Sequence, residues 1–229
     1  MNSIGGAPVN LLEELRWRKV LAIVRADGPE RALRCIRTLV DAGITALEVS
    51  LTTPGALEAI ARARSECPPS VLIGAGTVLR ADQADAASAA GAGFVVTPGI
   101  TPGARRSVET DVPLLCGALT PTEVLTALEL GALAVKVFPA GLHGPGYLRE
   151  LRAPLPTAPL VAVGGVDLRS APEYLRAGAL AVGVGSPLLG AAGMSDAPPD
   201  ELTARAVAFL DAVDAPRTPA EHTAAHRRH

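Results

Sequence analysis

Only two of the 21 basic residues in this 229-residue chain are lysines, Lys19 and Lys136; the others are arginine. The distinction is chemical. A guanidinium stays protonated and cannot attack a carbonyl, whereas a desolvated lysine can lose its proton and form an imine. Lys136 lies in the apolar stretch Leu133–Ala140, which reads as a short strand between Gly131 and Pro139. An amine there is a nucleophile, a cation pointing outward from an edge strand, or a charge satisfied by a buried carboxylate.

Strand alternation supplies the next candidates. In Ala46–Ser50, Leu47, Val49 and Leu51 form one apolar set, while Ala46, Glu48 and Ser50 form the other. Around the lysine, Val135 and Val137 oppose Ala134, Lys136 and Phe138. Glu48 and Lys136 therefore face away from the helices, into any barrel these strands close. A bare buried ion pair gains little, because desolvation offsets the attraction. A functional pair is the more attractive explanation, with a structural pair as the other. Arg25 ends a strand whose inward set holds Leu21 and Ile23, so a third charge reaches the mouth, to bind an anion or to pair with a rim acid. Val163-Gly164-Gly165 and Gly183-Val184-Gly185-Ser186 follow two later strands. Glycines there let backbone amides approach a phosphate, with a helix N-terminus adding its dipole; glycines are also ordinary turn formers.

The elements that carry these residues repeat one sentence, a short apolar strand followed by an amphipathic helix. Strands are expected at Val20–Arg25, Ala46–Ser50, Val71–Ala75, Phe94–Thr97, Pro113–Gly117, Leu133–Phe138, Leu160–Val163 and Leu180–Val184. Helix starts are marked by Asn10-x-x-Glu13, Thr53-Pro54, Thr101-Pro102, Thr120-x-x-Glu123 and Ser170-x-x-Glu173. Four helix stops share a small/apolar–Gly–small/apolar form around Gly43, Gly91, Gly131 and Gly178. Eight such units close into a (β/α)8 TIM barrel with a short N-terminal helix. The open doubly wound alternative would carry a glycine-rich fingerprint after its first strand, and none stands there. One barrel domain is expected over residues 1–215. The segment 216–229, with Arg217, His222, His226, Arg227, Arg228 and His229, has no apolar period and reads as a disordered tail.

Composition narrows the function. A net charge of −2 gives no electrostatic case for nucleic acid or an anionic membrane. No apolar run reaches the roughly 18 residues of a membrane span. Charged residues from Glu13 to Lys19 interrupt any secretory signal, so a cytoplasmic location is expected. Cys35, Cys67 and Cys116 read as buried thiols in a reducing compartment, with Cys116 close to other candidates. His143 is the only histidine before the tail, so neither a metal site nor a Ser/His/Asp triad is expected, and no cofactor is implied.

With these residues in place, the chain resembles the class I aldolases of 2-keto-3-deoxy-6-phosphogluconate (KDPG) and its galactonate relative (KDPGal), from about residue 18 to 190. The resemblance rests on Leu47-Glu-Val-Ser50, Ile73-Gly-Ala-Gly-Thr-Val78, Val96-Thr-Pro-Gly99, Leu119-Thr-Pro-Thr-Glu123, Val135-Lys-Val-Phe-Pro139 and Val163-Gly-Gly-Val166. It implies a Schiff-base role for Lys136 and an acid/base role for Glu48. It also implies a pyruvate end lined by Thr77 and Pro98, Phe138 beside the imine, and a phosphate site at Gly164, Gly165 and Ser186. The implied substrate is a phosphorylated keto-acid, and the implied assembly a homotrimer. One position departs: many members carry arginine four residues after the glutamate, where this chain has Thr52. Arg25, matching a strand-one arginine of other members including KDPGal aldolases, is the expected substitute. The related cleavage of 4-hydroxy-2-oxoglutarate uses the same imine and no phosphate.

Overall fold

The computed structural model describes residues 10–214, and the expectations for 216–229, including those for His222 and His226, lie outside them. The elements run α1 (Leu11–Arg18), β1 (Val20–Val24), α2 (Pro29–Asp41), β2 (Ala46–Ser50), α3 (Ala56–Glu66), β3 (Leu72–Gly76), α4 (Ala81–Ala89), β4 (Val95–Val96), α5 (Pro102–Glu109) and β5 (Leu114–Ala118). They continue as α6 (Pro121–Leu130), β6 (Ala134–Val137), a 3-10 turn (Ala140–Leu142), α7 (Gly144–Arg152), β7 (Leu160–Val163), α8 (Ala171–Arg176), β8 (Ala181–Val184), α9 (Ser186–Leu189) and α10 (Pro199–Ala212). Neighbouring strands pair in parallel and in chain order, and β8 pairs with β1, closing a (β/α)8 barrel. Closure removes the edge-strand reading of Lys136, since β6 is flanked by β5 and β7. No helix among the described residues is long and apolar enough to cross a membrane.

The helix stops follow from their glycines. Gly43, Gly91, Gly131 and Gly178 take φ of 100°, 85°, 105° and 98°, the left-handed region open to glycine at no steric penalty. Each lets the next amide (Ile44, Ala92, Ala132, Ala179) reach back to the carbonyl of Leu39, Ala87, Ala127 or Tyr174.

The helix starts divide. Thr120 and Glu123 form the expected reciprocal box, the Glu123 carboxylate accepting the Thr120 and Leu119 amides at 2.8 and 2.9 Å. Thr101 caps α5 through the Ala104 amide. The other three differ from expectation. Asn10 makes no side-chain cap. Gly55, not Thr53, precedes α3, and Thr53 Oγ1 accepts the Ala26 amide at 3.1 Å, joining the β2 loop to the β1 loop. Ser170 exchanges hydrogen bonds with Asp167 instead of capping α8. Thr53 thus bonds an amide that the tertiary structure brings near, whereas Ser170 bonds a local partner three residues before it.

Outward strand residues such as Leu47, Val49, Val135 and Val137 pack under the helices. Inward residues form a separate core, and Leu11 and Leu15 of α1 plug it from below against Leu21, Ala46, Phe94 and Leu115. Gly74 leaves room for the Phe94 ring, which would lie 2.4 Å from a Cβ at that position. Higher up, at the C-terminal ends of the strands, the inward positions change character: Glu48, Ser50 and Lys136 share the space with Gly76, Gly117 and Gly183.

Candidate active site

β2 and β6 lie on opposite sides of the ring, so their inward residues meet across it. Lys136 Nζ stands 3.9 Å from Glu48 Oε1, with side chains only 8% and 1% exposed. That separation is an ion-pair contact but too long for a hydrogen bond. Neither Glu48 oxygen has a hydrogen-bond donor among the described residues. Burial pushes the Glu48 carboxyl above its usual range, opposed by the charges of Lys136 and Arg25. The Phe138 ring covers the amine, its centroid 5.2 Å from Nζ.

Glycines make room for the groups around this pair. A Cβ at Gly76 would sit 2.7 Å from Glu48 Oε1, and one at Gly117 would fall 2.1 Å from the Pro98 carbonyl carbon. Gly117 pairs in register with Lys136, so Pro98 leans over the barrel beside the amine. Thr97 Oγ1 donates to the Gly99 carbonyl at 2.7 Å and fixes that turn. Gly76→Ala is expected to displace the Glu48 carboxylate and lower kcat by roughly 100-fold, the effect of misplacing a reacting group by about 1 Å. Steady-state kinetics on a variant of unchanged circular dichroism checks this; wild-type kcat would refute the spatial argument.

Four side chains line one side of the mouth. Arg25 Nε donates to Thr52 Oγ1 at 3.1 Å, Thr52 Oγ1 lies 2.8 Å from Ser50 Oγ, and Ser50 Oγ lies 2.9 Å from Thr77 Oγ1. Across the mouth, Gly164 and Gly165 adopt φ of 86° and 74°, and Gly164 accepts the Gly141 amide at 2.7 Å, bracing the loop after β6 against the loop after β7. The Gly165 and Gly185 amides donate to no acceptor among the described residues. Exposed Ser186 opens α9. That helix is a single turn of four residues, so the β8 side of the rim offers backbone amides and no extended helix dipole.

The barrel thus gathers Lys136, Glu48, Arg25, Thr77, Pro98 and Phe138 at one end, with Gly164, Gly165, Gly185 and Ser186 on the neighbouring rim. Cys116 is different. It packs with the outward core, and burial pushes its thiol up, away from the nucleophilic thiolate. Among the described residues no group of three or more His, Cys, Asp and Glu side chains converges as a metal cluster. Sequence reasoning did not single out Ser50, Gly76 or Gly117 as site residues. Ser50 carried a usable signal, since it shares the inward set of Glu48; the two glycines carried none without the register.

Comparison with known proteins finds consistent matches over most of the chain. The sequence model of the KDPG and KHG aldolases matches residues 11–204. The 2-dehydro-3-deoxy-6-phosphogalactonate aldolase of Escherichia coli is 36% identical over 87% of this chain and 100% of its own length. The 2-dehydro-3-deoxy-phosphogluconate aldolase of Treponema pallidum is 39% identical over 73% of this chain and 80% of its own. A solved native KDPGal structure superposes with a TM-score of 0.79 at 35% identity, covering 85% of this chain and 94% of that one.

Proposed function

Since the chain belongs to the KDPG and KHG aldolase family and is a carbon–carbon lyase, we propose that it cleaves 2-dehydro-3-deoxy-6-phosphogluconate through an imine on Lys136. The observation that carries the reading is the Lys136–Glu48 pair, 3.9 Å apart and closed off from bulk water at the C-terminal end of the barrel.

Neutral Lys136 attacks the C2 ketone and gives a carbinolamine, which loses water to form the imine. The C3–C4 bond then breaks, its electron pair flowing toward the imine nitrogen to leave an enamine. The C4 hydroxyl gives up its proton to Glu48, directly or through water, as C4 becomes an aldehyde carbon. Glyceraldehyde 3-phosphate departs. Protonation of the enamine at C3 and hydrolysis of the imine release pyruvate and restore the amine. Burial holds this carboxyl above its usual range, so it keeps a proton more readily than an exposed glutamate would. Arg25 and Thr77 hold the substrate carboxylate, Pro98 and Phe138 border the imine, and Gly164, Gly165, Gly185 and Ser186 receive the phosphate. The reaction asks for no metal or cofactor, and the assembly is read as a cytoplasmic homotrimer, which sedimentation in solution tests.

The galactonate epimer is the second reading, supported by the Arg25–Thr52 contact where many gluconate enzymes place an arginine at position 52. Purified KDPG, KDPGal and 4-hydroxy-2-oxoglutarate, assayed side by side, separate the readings. The highest kcat/KM on KDPG supports the first and on KDPGal the second. Highest turnover of 4-hydroxy-2-oxoglutarate, or negligible turnover of all three, overturns both.

A further inference from the structure

We propose that Ser50 and Thr52 are positioning residues, forming a two-hydroxyl bridge that aligns Arg25 and Thr77 as one carboxylate clamp. The inference rests on the imine reading above and goes beyond it, because neither residue touches the reacting atoms.

The bridge crosses the tops of three neighbouring strands. Arg25 follows β1, Ser50 ends β2, Thr52 lies in the next turn, and Thr77 follows β3. Ser50 is fully buried on the inward face and pairs in register with Gly76. The residue after Gly76 takes a left-handed backbone, φ 60° at Thr77, uncommon for a side chain branched at Cβ. With that conformation goes a Thr77 Oγ1 to Ser50 Oγ distance of 2.9 Å. Ser50 Oγ lies 2.8 Å from Thr52 Oγ1, which accepts Arg25 Nε at 3.1 Å.

The chain has a sense. A guanidinium only donates, so Thr52 accepts from Arg25. Passing its own proton to Ser50, and Ser50's to Thr77, leaves the Thr77 hydroxyl proton free to donate into the cavity. Every hydroxyl then both accepts and donates, the arrangement in which neighbouring hydrogen bonds strengthen one another. Arg25 uses only Nε here; its terminal nitrogens make no hydrogen bond or ion pair among the described residues. The backbone behind it is held as well. Thr53 Oγ1 accepts the Ala26 amide, and a Cβ at Gly193 would lie 2.2 Å from the Arg25 carbonyl oxygen. A long cation on an exposed loop is thereby ordered before the anion arrives. Thr52 is then a working partner of Arg25 and not merely a lost arginine.

The test reads carboxylate binding apart from chemistry. Borohydride trapping of the Lys136 adduct is measured against pyruvate concentration in wild type, Ser50→Ala, Thr52→Val, Thr52→Ser and the Ser50→Ala/Thr52→Val double variant. Losing the order of one rotamer-rich side chain is expected to raise half-saturating pyruvate about 10-fold in Ser50→Ala and in Thr52→Val. The double variant should be no worse than either single one, because both break the same bridge. Thr52→Ser, which keeps the hydroxyl, should behave as wild type, and trapping at saturation should be unchanged throughout. Thr52 is exposed, so Thr52→Val keeps the test decisive if Ser50→Ala does not fold. Unmoved half-saturation in Thr52→Val, multiplied effects in the double variant, or a loss confined to the saturating level would each overturn the bridge. No adduct in wild type at any concentration would sink the imine reading itself, a result distinct from a wild-type adduct with unmoved variants.

Discussion

Lys136→Arg is expected to abolish cleavage and to leave no pyruvate adduct after borohydride, although it keeps the positive charge opposite Glu48. Removing a covalent nucleophile leaves only what binding and polar groups contribute, and losses reach about 10⁶-fold in kcat. Lys136→Ala should be equally inactive. The arginine variant is the sharper of the two, because it separates the roles an amine can play at this position. If the lysine served only to neutralise a buried carboxylate at 3.9 Å, a guanidinium would serve as well and activity would survive. Adduct mass and single-turnover cleavage are the measurements. Substantial turnover by Lys136→Arg would end the imine mechanism.

Glu48→Gln is the second large effect, and it should move activity and stability in opposite directions. Loss of a positioned acid/base group is expected to lower kcat by about 10²–10⁴-fold. The buried carboxyl has its pKa raised, chiefly by desolvation. A raised native pKa means that the folded protein binds this proton more tightly than the unfolded chain does. The resulting stability is fully present below the unfolded pKa and lost as pH rises through the native one. Above the ordinary carboxylate range this buried carboxyl is therefore a burden on the fold, with neither oxygen receiving a hydrogen bond among the described residues. Glutamine removes the charge at nearly constant shape, so Tm should rise at neutral pH, by roughly 2–4 °C per kcal/mol recovered in a chain of this size. The Tm of the variant should also depend less on pH above the ordinary carboxylate range than that of wild type. A Tm lowered across the whole pH range would show that the ion pair outweighs the desolvation. The acidic limb of the wild-type kcat/KM profile should lie above the ordinary carboxylate range and disappear in the variant.

The two effects have one source. The barrel keeps its lower interior apolar, with Phe94 filling the space beside Gly74, and gives its upper interior to the Glu48 carboxylate beside Gly76 and the Pro98 backbone beside Gly117. Polar groups with few partners are a liability for folding and an opportunity for chemistry, which is why activity and stability can be expected to separate at Glu48.

What the amino-acid sequence determined by itself was periodic and local. Apolar runs bounded by glycine and proline marked the eight strands to within one residue at either end, and their period of two turned Glu48 and Lys136 to the face away from the helices. Gly43, Gly91, Gly131 and Gly178 announced helix ends because only that residue enters the left-handed turn freely. Helix caps divided between local and distant partners. Thr120 and Glu123 satisfied each other within one turn, whereas Thr53 and Ser170 found other partners, Thr53 an amide on the neighbouring loop and Ser170 Asp167 just before it. Tertiary structure alone decided distance. Residues 48 and 136 meet because eight strands close into a ring that sets β2 opposite β6. The Arg25–Thr52–Ser50–Thr77 bridge likewise depends on the register of β1, β2 and β3, together with a left-handed Thr77 that no spacing rule foretells. Facing is a property of one strand and can be read along it; proximity across a barrel belongs to the closed sheet.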